Sequence, residues 1–366
     1  MLKRLLVLAN SDSSIFKFRQ ELLLDLSEDF QIGLGIPFGQ YIDEISNSNY
    51  ELFDIPVDRH GMNPIEDFRL LRRYRALIRS FHPDVVLEYT IKPNLYGSIV
   101  CGRKIPCLCN ITGLGTALEK PGTMQKMLIA MYRFAMMNVD TIFFQNTAGE
   151  VFFREHKIGR TEQYIRLPGS GVNLKRFEYI DYPTTGPQRF LFVARIIKEK
   201  GIDEFLSVAN RFHDEGLEAE FHICGACEED GYHHKLESLH DLGIVKYHGL
   251  VKDMRSMYAQ ASCVVLPSYY PEGQSNVLLE GAASGRPLIT TDHPGCREAV
   301  KEGITGFLVN TQDADDLYDK VKKMYELSCE DRRLMGLKGR SYMENTFDRK
   351  IVVRIYRERL SKLGLI

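Results

Sequence analysis

Apolar runs of strand length alternate with amphipathic stretches of helix length along almost the whole chain, and no other feature limits the fold so narrowly. In the first half these runs fall at 4–10, 31–36, 52–57, 84–90, 106–112, 141–145 and 163–167. In the second half they fall at 189–194, 219–224, 245–249, 263–267, 288–291 and 306–309. Alternation of this kind implies parallel sheets covered by helices on both faces. A chain of 366 residues can build two separate cores. The two series of strands therefore imply an α/β fold of two doubly wound, Rossmann-like domains. The turn-rich segment Asp181-Tyr182-Pro183-Thr184-Thr185-Gly186-Pro187 breaks the pattern. It sets an N-terminal domain over 1–180 and a second domain over 181–345.

Within the second domain, Pro271-Glu272-Gly273-Gln274-Ser275-Asn276-Val277-Leu278-Leu279-Glu280 sets two carboxylates eight residues apart. The segment follows the strand at 263–267, and Ser275 is suited to cap a helix running to about Ser284. Glu272 then lies in the loop, while Asn276 and Glu280, four apart, share one helix face. First-turn amides, those of Asn276 and Val277 among them, form a site for phosphate oxygens. A carboxylate inside the helix suits ribose hydroxyls, and one in the loop suits sugar hydroxyls. Together they fit a nucleotide-sugar better than a bare phosphate.

Upstream, the apolar strand Phe190-Leu191-Phe192-Val193-Ala194 ends in Arg195, and Lys200-Gly201 opens the next helix. Read alone, Arg195 and Lys200 are solvated charges in a basic loop, and Lys198 keeps that reading. Downstream lie Gly285-Arg286-Pro287, Gly295-Cys296-Arg297-Glu298 and Glu302-Gly303-Ile304-Thr305-Gly306. In this order and spacing the set closely resembles family 4 of the retaining glycosyltransferases, well over roughly 165–345 and more loosely before it. The resemblance implies a GT-B fold, with two domains facing across a cleft and residues 346–366 forming a helix that crosses back to the first domain. It implies that Arg195 and Lys200 stabilise the departing nucleotide diphosphate, with backbone at Gly273, Asn276 and Val277 adding donors. Glu280 would bind the ribose, Glu272 the transferred sugar, and Gly225 would end a strand beside the nucleotide. Retention of configuration follows from the resemblance as well, with same-face attack and Glu272 organising the sugar. No metal cofactor is expected: Asp313-Ala314-Asp315 opens a late helix and reads as charge complementing its dipole.

The first half departs from the family pattern. A Gly-Gly pair usual after the first strand is replaced by Ala9-Asn10-Ser11-Asp12-Ser13-Ser14. A histidine usual after the strand at 106–112 is absent, and Thr112 or the Gly113 backbone is the expected substitute at the donor sugar. The run from Ser13 to Arg19, Arg59 before Met62-Asn63-Pro64, Lys92-Pro93-Asn94 and Gly113-Leu114-Gly115 resemble one subgroup. That subgroup acts on polyprenyl-diphosphate-linked sugars in bacterial surface-polysaccharide assembly, so UDP-sugar is the expected donor and a lipid-linked saccharide the acceptor. Arg19, Arg59 and Lys92 suit an acceptor diphosphate, or are ordinary surface charges. Residues 124–137 are apolar nearly all round, with two cations. They read either as a core helix or as a stretch lying on the membrane surface.

A net charge of −2 argues against a nucleic-acid partner. Residues 5–9 read as a strand directly after Met1-Leu2-Lys3-Arg4, not as a secretory signal, and no window nears the roughly 20 apolar residues of a membrane span. Eight scattered cysteines suit a reducing compartment. The expected location is cytoplasmic, extending to the inner face of the cell membrane if 124–137 touches lipid. Cys224 and Cys227 with His233 and His234 could suggest zinc, but Cys224 ends a buried-looking strand. A dinucleotide oxidoreductase is disfavoured because no G-x-G-x-x-G follows the first strand. A GT-B-shaped epimerase or a non-catalytic nucleotide-sugar-binding protein remain the alternatives.

Overall fold

The computed structural model describes residues 2–58, 61, 63–119, 121–227 and 230–366. The chain divides into two compact units, Met1–Gly171 with Arg349–Ile366, and Val172–Asp348. Unit 1 contains a seven-stranded sheet, formed by β1 (Lys3–Leu8), β2 (Phe30–Ile36), β3 (Glu51–Asp54), β4 (Val85–Tyr89), β5 (Cys107–Ile111), β6 (Thr141–Phe144) and β7 (Tyr164–Arg166). Their order is β3-β2-β1-β4-β5-β6-β7, and every pairing is parallel. Unit 2 contains β8 (Gln188–Val193), β9 (Ala219–Cys224), β10 (Lys246–Tyr247), β11 (Cys263–Leu266), β12 (Leu288–Thr291) and β13 (Gly306–Val309). They pair in parallel in the order β10-β9-β8-β11-β12-β13. Both orders reverse direction once, between β1 and β4 and between β8 and β11. Each unit is therefore doubly wound, and the loops following those strand pairs form its natural ligand site.

The unit 1 sheet buries both faces by strand periodicity. Leu6, Leu8, Val86, Cys107 and Cys109 join one core, with Leu70, Tyr74 and Leu77 of the helix Pro64–Phe81. Leu5, Val7, Val85, Leu87 and Leu108 join the other, with Val352, Tyr356 and Leu360 of the helix Arg349–Lys362. Spacing of four places those three side chains on one helix face. Arg357 of this helix binds Asp25 and Asp29, each at 2.7 Å, so the last helix is part of unit 1. Glu88 is a charged residue type on β4 with no exposure. Its Oε2 accepts from the Ser98 hydroxyl at 2.6 Å and the Cys109 thiol at 3.1 Å, while Oε1 has no partner. Burial pushes this carboxyl well above the ordinary carboxylate range.

The units part at Gly171/Val172, ahead of the turn-rich segment where the sequence pattern breaks. Long-range bonds explain the difference. Val172 N–H donates to Phe347 O at 2.8 Å, and Ile180 N–H to Ser284 O at 3.4 Å. The fully buried Arg286 guanidinium donates to Ile180 O at 2.8 Å and Asp181 O at 2.9 Å. Segment 172–187 is thereby fastened to unit 2. In the helix Thr123–Ala135, Ile129, Tyr132 and Ala135 are buried, whereas Met127 and Phe134 are 47% and 59% exposed.

Candidate active site

In unit 2, β8 lies beside β11, with Cys263 opposite Phe190, so the loops that follow these strands emerge side by side. Three glycines let their backbones touch. A Cβ on Gly225, at φ +159°, would lie 1.6 Å from Ala194 O, immediately before Arg195. At Gly201, φ +78°, a Cβ would lie 2.2 Å from Pro267 O. At Gly295, φ +88°, it would lie 2.7 Å from Glu272 O. No other residue tolerates both that contact and a left-handed backbone. Hydrogen bonds lace the same loops, from Tyr269 N to Glu199 O at 2.9 Å and from Ser275 N to Gly295 O at 2.8 Å.

On this frame Lys200 and Glu272, 72 positions apart in sequence, form an ion pair whose side chains are only 11% and 16% exposed. Lys200 closes a short 3-10 turn, Lys198–Lys200, ahead of the helix Ile202–Asp214, and does not itself open that helix. The Ser268 hydroxyl donates to Glu272 Oε1 at 3.5 Å. Tyr270 puts its ring beneath two cations, with Arg195 Cζ 5.4 Å and Lys200 Nζ 4.7 Å from the centroid. Arg195 is otherwise exposed, as is Lys198.

The helix Asn276–Ala283 begins after Ser275, which has the extended backbone of a capping residue but makes no cap bond through its hydroxyl. Its first intrahelical bond is Leu279 N to Ser275 O, so the amides of Asn276, Val277 and Leu278 precede the helix's own ladder. Glu280, one turn in, accepts from the Tyr258 hydroxyl at 3.1 Å. Burial first, and the Glu280 charge second, push that phenol well above its ordinary range, so it remains a donor. Gln274 is buried between Gly273 and Ser275, and neither atom of its carboxamide has a partner. Ser268, Tyr270 and Tyr258 are not singled out by sequence pattern, because polar and aromatic residues at strand and helix ends are common. The one available signal is Tyr269-Tyr270 directly preceding Pro271-Glu272.

The remaining sequence-derived residues lie in unit 1. Thr112 and Gly113 follow β5 and are half-buried. Arg19 is buried, with its guanidinium 4.5 Å from the Tyr89 ring and a bond to Phe18 O at 3.2 Å. Lys92 donates to Asp67 at 2.7 Å and is thus paired within unit 1. Arg59 lies outside the described residues. Asp313 caps the helix Ala314–Glu326 by accepting from Asp316 N at 2.9 Å. Among the described residues, side chains spaced to hold a metal ion occur as Glu88, Cys107 and Cys109, wholly buried, and as His233, His234 and Glu237, exposed. Neither group includes Cys224, Cys227 or a residue of the Lys200–Glu272 neighbourhood.

Two doubly wound parallel-sheet units, one with cations and carboxylates gathered at its switch point, define a GT-B glycosyltransferase. Two family profiles match the chain: "Glycosyl transferase 4-like" over residues 4–146 and "Glycosyl transferases group 1" over 187–326. The chain belongs to these glycosyltransferases. It is 24% identical, over 95% of its length and 96% of the relative's, to the N,N'-diacetylbacillosaminyl-diphospho-undecaprenol alpha-1,3-N-acetylgalactosaminyltransferase of Campylobacter jejuni. It is 29% identical to the capsular polysaccharide biosynthesis glycosyltransferase CapM of Staphylococcus aureus, over 44% of this chain and 42% of that one. The fold matches the crystal structure of Anabaena HepE in complex with UDP and glucose, with a TM-score of 0.79 at 16% identity over 98% of this chain and 100% of that one.

Proposed function

We propose that this glycosyltransferase moves a hexose or N-acetylhexosamine from a UDP-sugar to a saccharide carried on polyprenyl diphosphate, in bacterial surface-polysaccharide or glycan assembly. The observation that carries the reading is the Lys200–Glu272 pair at the β8/β11 switch point, with Arg195 beside it. The full-length likeness to a transferase whose name specifies a diphospho-undecaprenol acceptor favours the lipid-linked substrate.

In this mechanism Arg195 and Lys200 bind the diphosphate and stabilise the charge that develops as the anomeric C–O bond breaks. First-turn amides at Asn276 and Val277, with Gly273 before them, add neutral donors to the same phosphates. Glu280, oriented by Tyr258, holds the ribose, with Gly225 giving the nucleotide close access to the end of β9. Glu272 holds the sugar hydroxyls and Thr112 adds a polar contact. The acceptor hydroxyl attacks from the face the diphosphate leaves, and its proton passes to the departing phosphate oxygen, so configuration is retained and no metal is required. Arg19, Arg59 and Lys92 bind the acceptor's diphosphate; Lys92 must first release Asp67. Among the described residues no helix is long and apolar enough to cross a membrane. Exposed Met127, Phe134 and Met137 support peripheral contact with the cytoplasmic membrane face instead.

The test measures UDP release from UDP-GalNAc, UDP-GlcNAc, UDP-galactose and UDP-glucose, with EDTA present, using a polyprenyl-diphosphate saccharide as acceptor. One donor should turn over, its product should keep the donor's anomeric configuration by NMR, and R195A and E272A should abolish turnover. No release from any donor would overturn the proposal.

A further inference from the structure

A cavity of about 740 Å³ lies in unit 1 at the starts of β5 and β6, where Pro106 and Asp140 immediately precede the two strands. Thr112 and Gly113 follow β5, so the cavity sits at the opposite end of that strand from them. Arg103, Arg160 and Arg359 bring three guanidinium groups to its wall, and Asp140 and Glu162 bring two carboxylates. Hydrogen bonds fix this wall. Arg103 Nε donates to Asn138 Oδ1 at 2.8 Å, and Arg359 donates to Asp140 O at 2.6 Å and to the Thr141 hydroxyl. The buried Gln163 carboxamide donates to Met136 O at 3.3 Å and accepts from Arg160 N at 2.6 Å, which ties the turn Thr161–Gln163 to the turn Met136–Asn138. Forked cationic donors take a phosphate, and carboxylates accept hydroxyls. The set therefore fits the phosphate ester of a polyol.

Exposed Met137 also lines the cavity, just after the helix Thr123–Ala135. Because β5 and β6 are parallel, the connection that contains this helix returns along the sheet toward the cavity. Met127 and Phe134, seven apart, are exposed on one face of the helix. An apolar strip thus leads to a mouth lined with arginine. That is the arrangement of a surface lying at the lipid boundary with its cations among headgroup phosphates. We propose that the cavity holds the glycerol phosphate headgroup of phosphatidylglycerol, an anionic membrane lipid, while Met127, Phe134 and Met137 enter the acyl boundary. The inference rests on the peripheral membrane contact described under Proposed function and names the lipid that makes it. Arg103, Arg160 and Arg359 surround the phosphate, and Asp140 and Glu162 accept from the glycerol hydroxyls.

Cosedimentation with phosphatidylcholine vesicles, doped equally with phosphatidylglycerol or phosphatidylserine, tests this at about 0.15 M salt. Wild type should prefer phosphatidylglycerol by at least about threefold, the worth of one hydroxyl–carboxylate bond. R103A/R160A should bind those vesicles at least about 10-fold more weakly, and R103K/R160K less than about threefold more weakly. Neither pair should change UDP release with a water-soluble, short-chain acceptor, and thermal melts establish that each variant is folded. R103A/R160A binding like wild type would overturn the role of the cavity. Equal binding to the two lipids would reduce the contact to general charge attraction and overturn headgroup recognition. Thermal stabilisation by free glycerol phosphate, without vesicle binding, would assign the cavity to a soluble ester and overturn the lipid. A wild type that ignores the vesicles yet releases UDP sinks this inference alone, whereas vesicle binding without UDP release from any donor counts against the transferase reading.

Discussion

Replacing Arg286 by methionine should loosen segment 179–182 from unit 2. The arginine is wholly buried, and its guanidinium donates to Tyr258 O at 2.8 Å, Ile180 O at 2.8 Å and Asp181 O at 2.9 Å. Its charge also faces the Tyr182 ring at 5.5 Å. Methionine fills most of the volume but donates nothing, so three carbonyls lose a charged donor. Each stranded acceptor costs about 1–3 kcal/mol. Removing a buried cation returns part of that sum, because its desolvation opposed folding; burial lowers this guanidinium to about 10, still charged at neutral pH. We expect a net loss of about 3 kcal/mol, and roughly half as much for R286K, which can keep one donor. Urea denaturation followed by circular dichroism gives the stability, and limited proteolysis gives its location. New cleavage should appear between 179 and 187. R286M within about 1 kcal/mol of wild type, with no new cleavage there, would refute the reasoning. The segment would then be held by Tyr182, whose hydroxyl donates to Ser262 O at 2.9 Å and accepts from Arg332 at 3.0 Å.

Glu88 has a folded-state pKa above that of an exposed glutamate, so the folded protein binds its proton more tightly than the unfolded chain does. Its stabilising contribution is complete below about pH 4 and is lost as the pH rises toward the folded value. E88Q has no such proton, and its urea midpoint should fall less than that of wild type between about pH 5 and 9; parallel curves would mean the carboxyl is not held neutral. At the donor site, Lys200 must exchange Glu272 for phosphate oxygens. E272A should therefore bind UDP as tightly as wild type or up to about threefold more tightly, while turnover falls at least about 100-fold. Parallel loss of UDP affinity and turnover would argue against the exchange.

The thirteen strands among the described residues each overlap a run visible in the sequence, and the central ones do so because a strand buried on both faces leaves a continuous local signature. The edge strands β3 and β10 fall short of their runs, at Glu51–Asp54 and Lys246–Tyr247. The E-x7-E spacing marks Glu272 as a site candidate, whereas Lys200, a loop charge when read alone, becomes one only through the motif set that resembles family 4. What sequence does not reveal is pairing at a distance. The arginine that fastens 180–181 to unit 2 lies about a hundred residues away, so a local excess of turn residues reads as a domain boundary when it is a strap. In the same way, the charge of Lys92 reads as available until the neighbouring helix supplies Asp67.

The chain enters and leaves unit 2 at adjacent points: Val172 forms a bridge with Asp348, and its amide donates to Phe347 O at 2.8 Å. Unit 2 is thus one uninterrupted stretch of chain inserted into a unit whose final helix, Arg349–Lys362, follows it. During synthesis the later-encoded unit has all its parts first, while the sheet begun by β1 still lacks Val352, Tyr356 and Leu360 for one of its cores. Apolar surface of that core, Phe143 against Tyr356 included, stays uncovered until the helix Arg349–Lys362 has been made. Stalled nascent chains ending near residue 348, plus the length of the ribosomal tunnel, should resist protease over 172–348 and not over 1–171. The opposite order of protection would mean that unit 1 closes without its last helix.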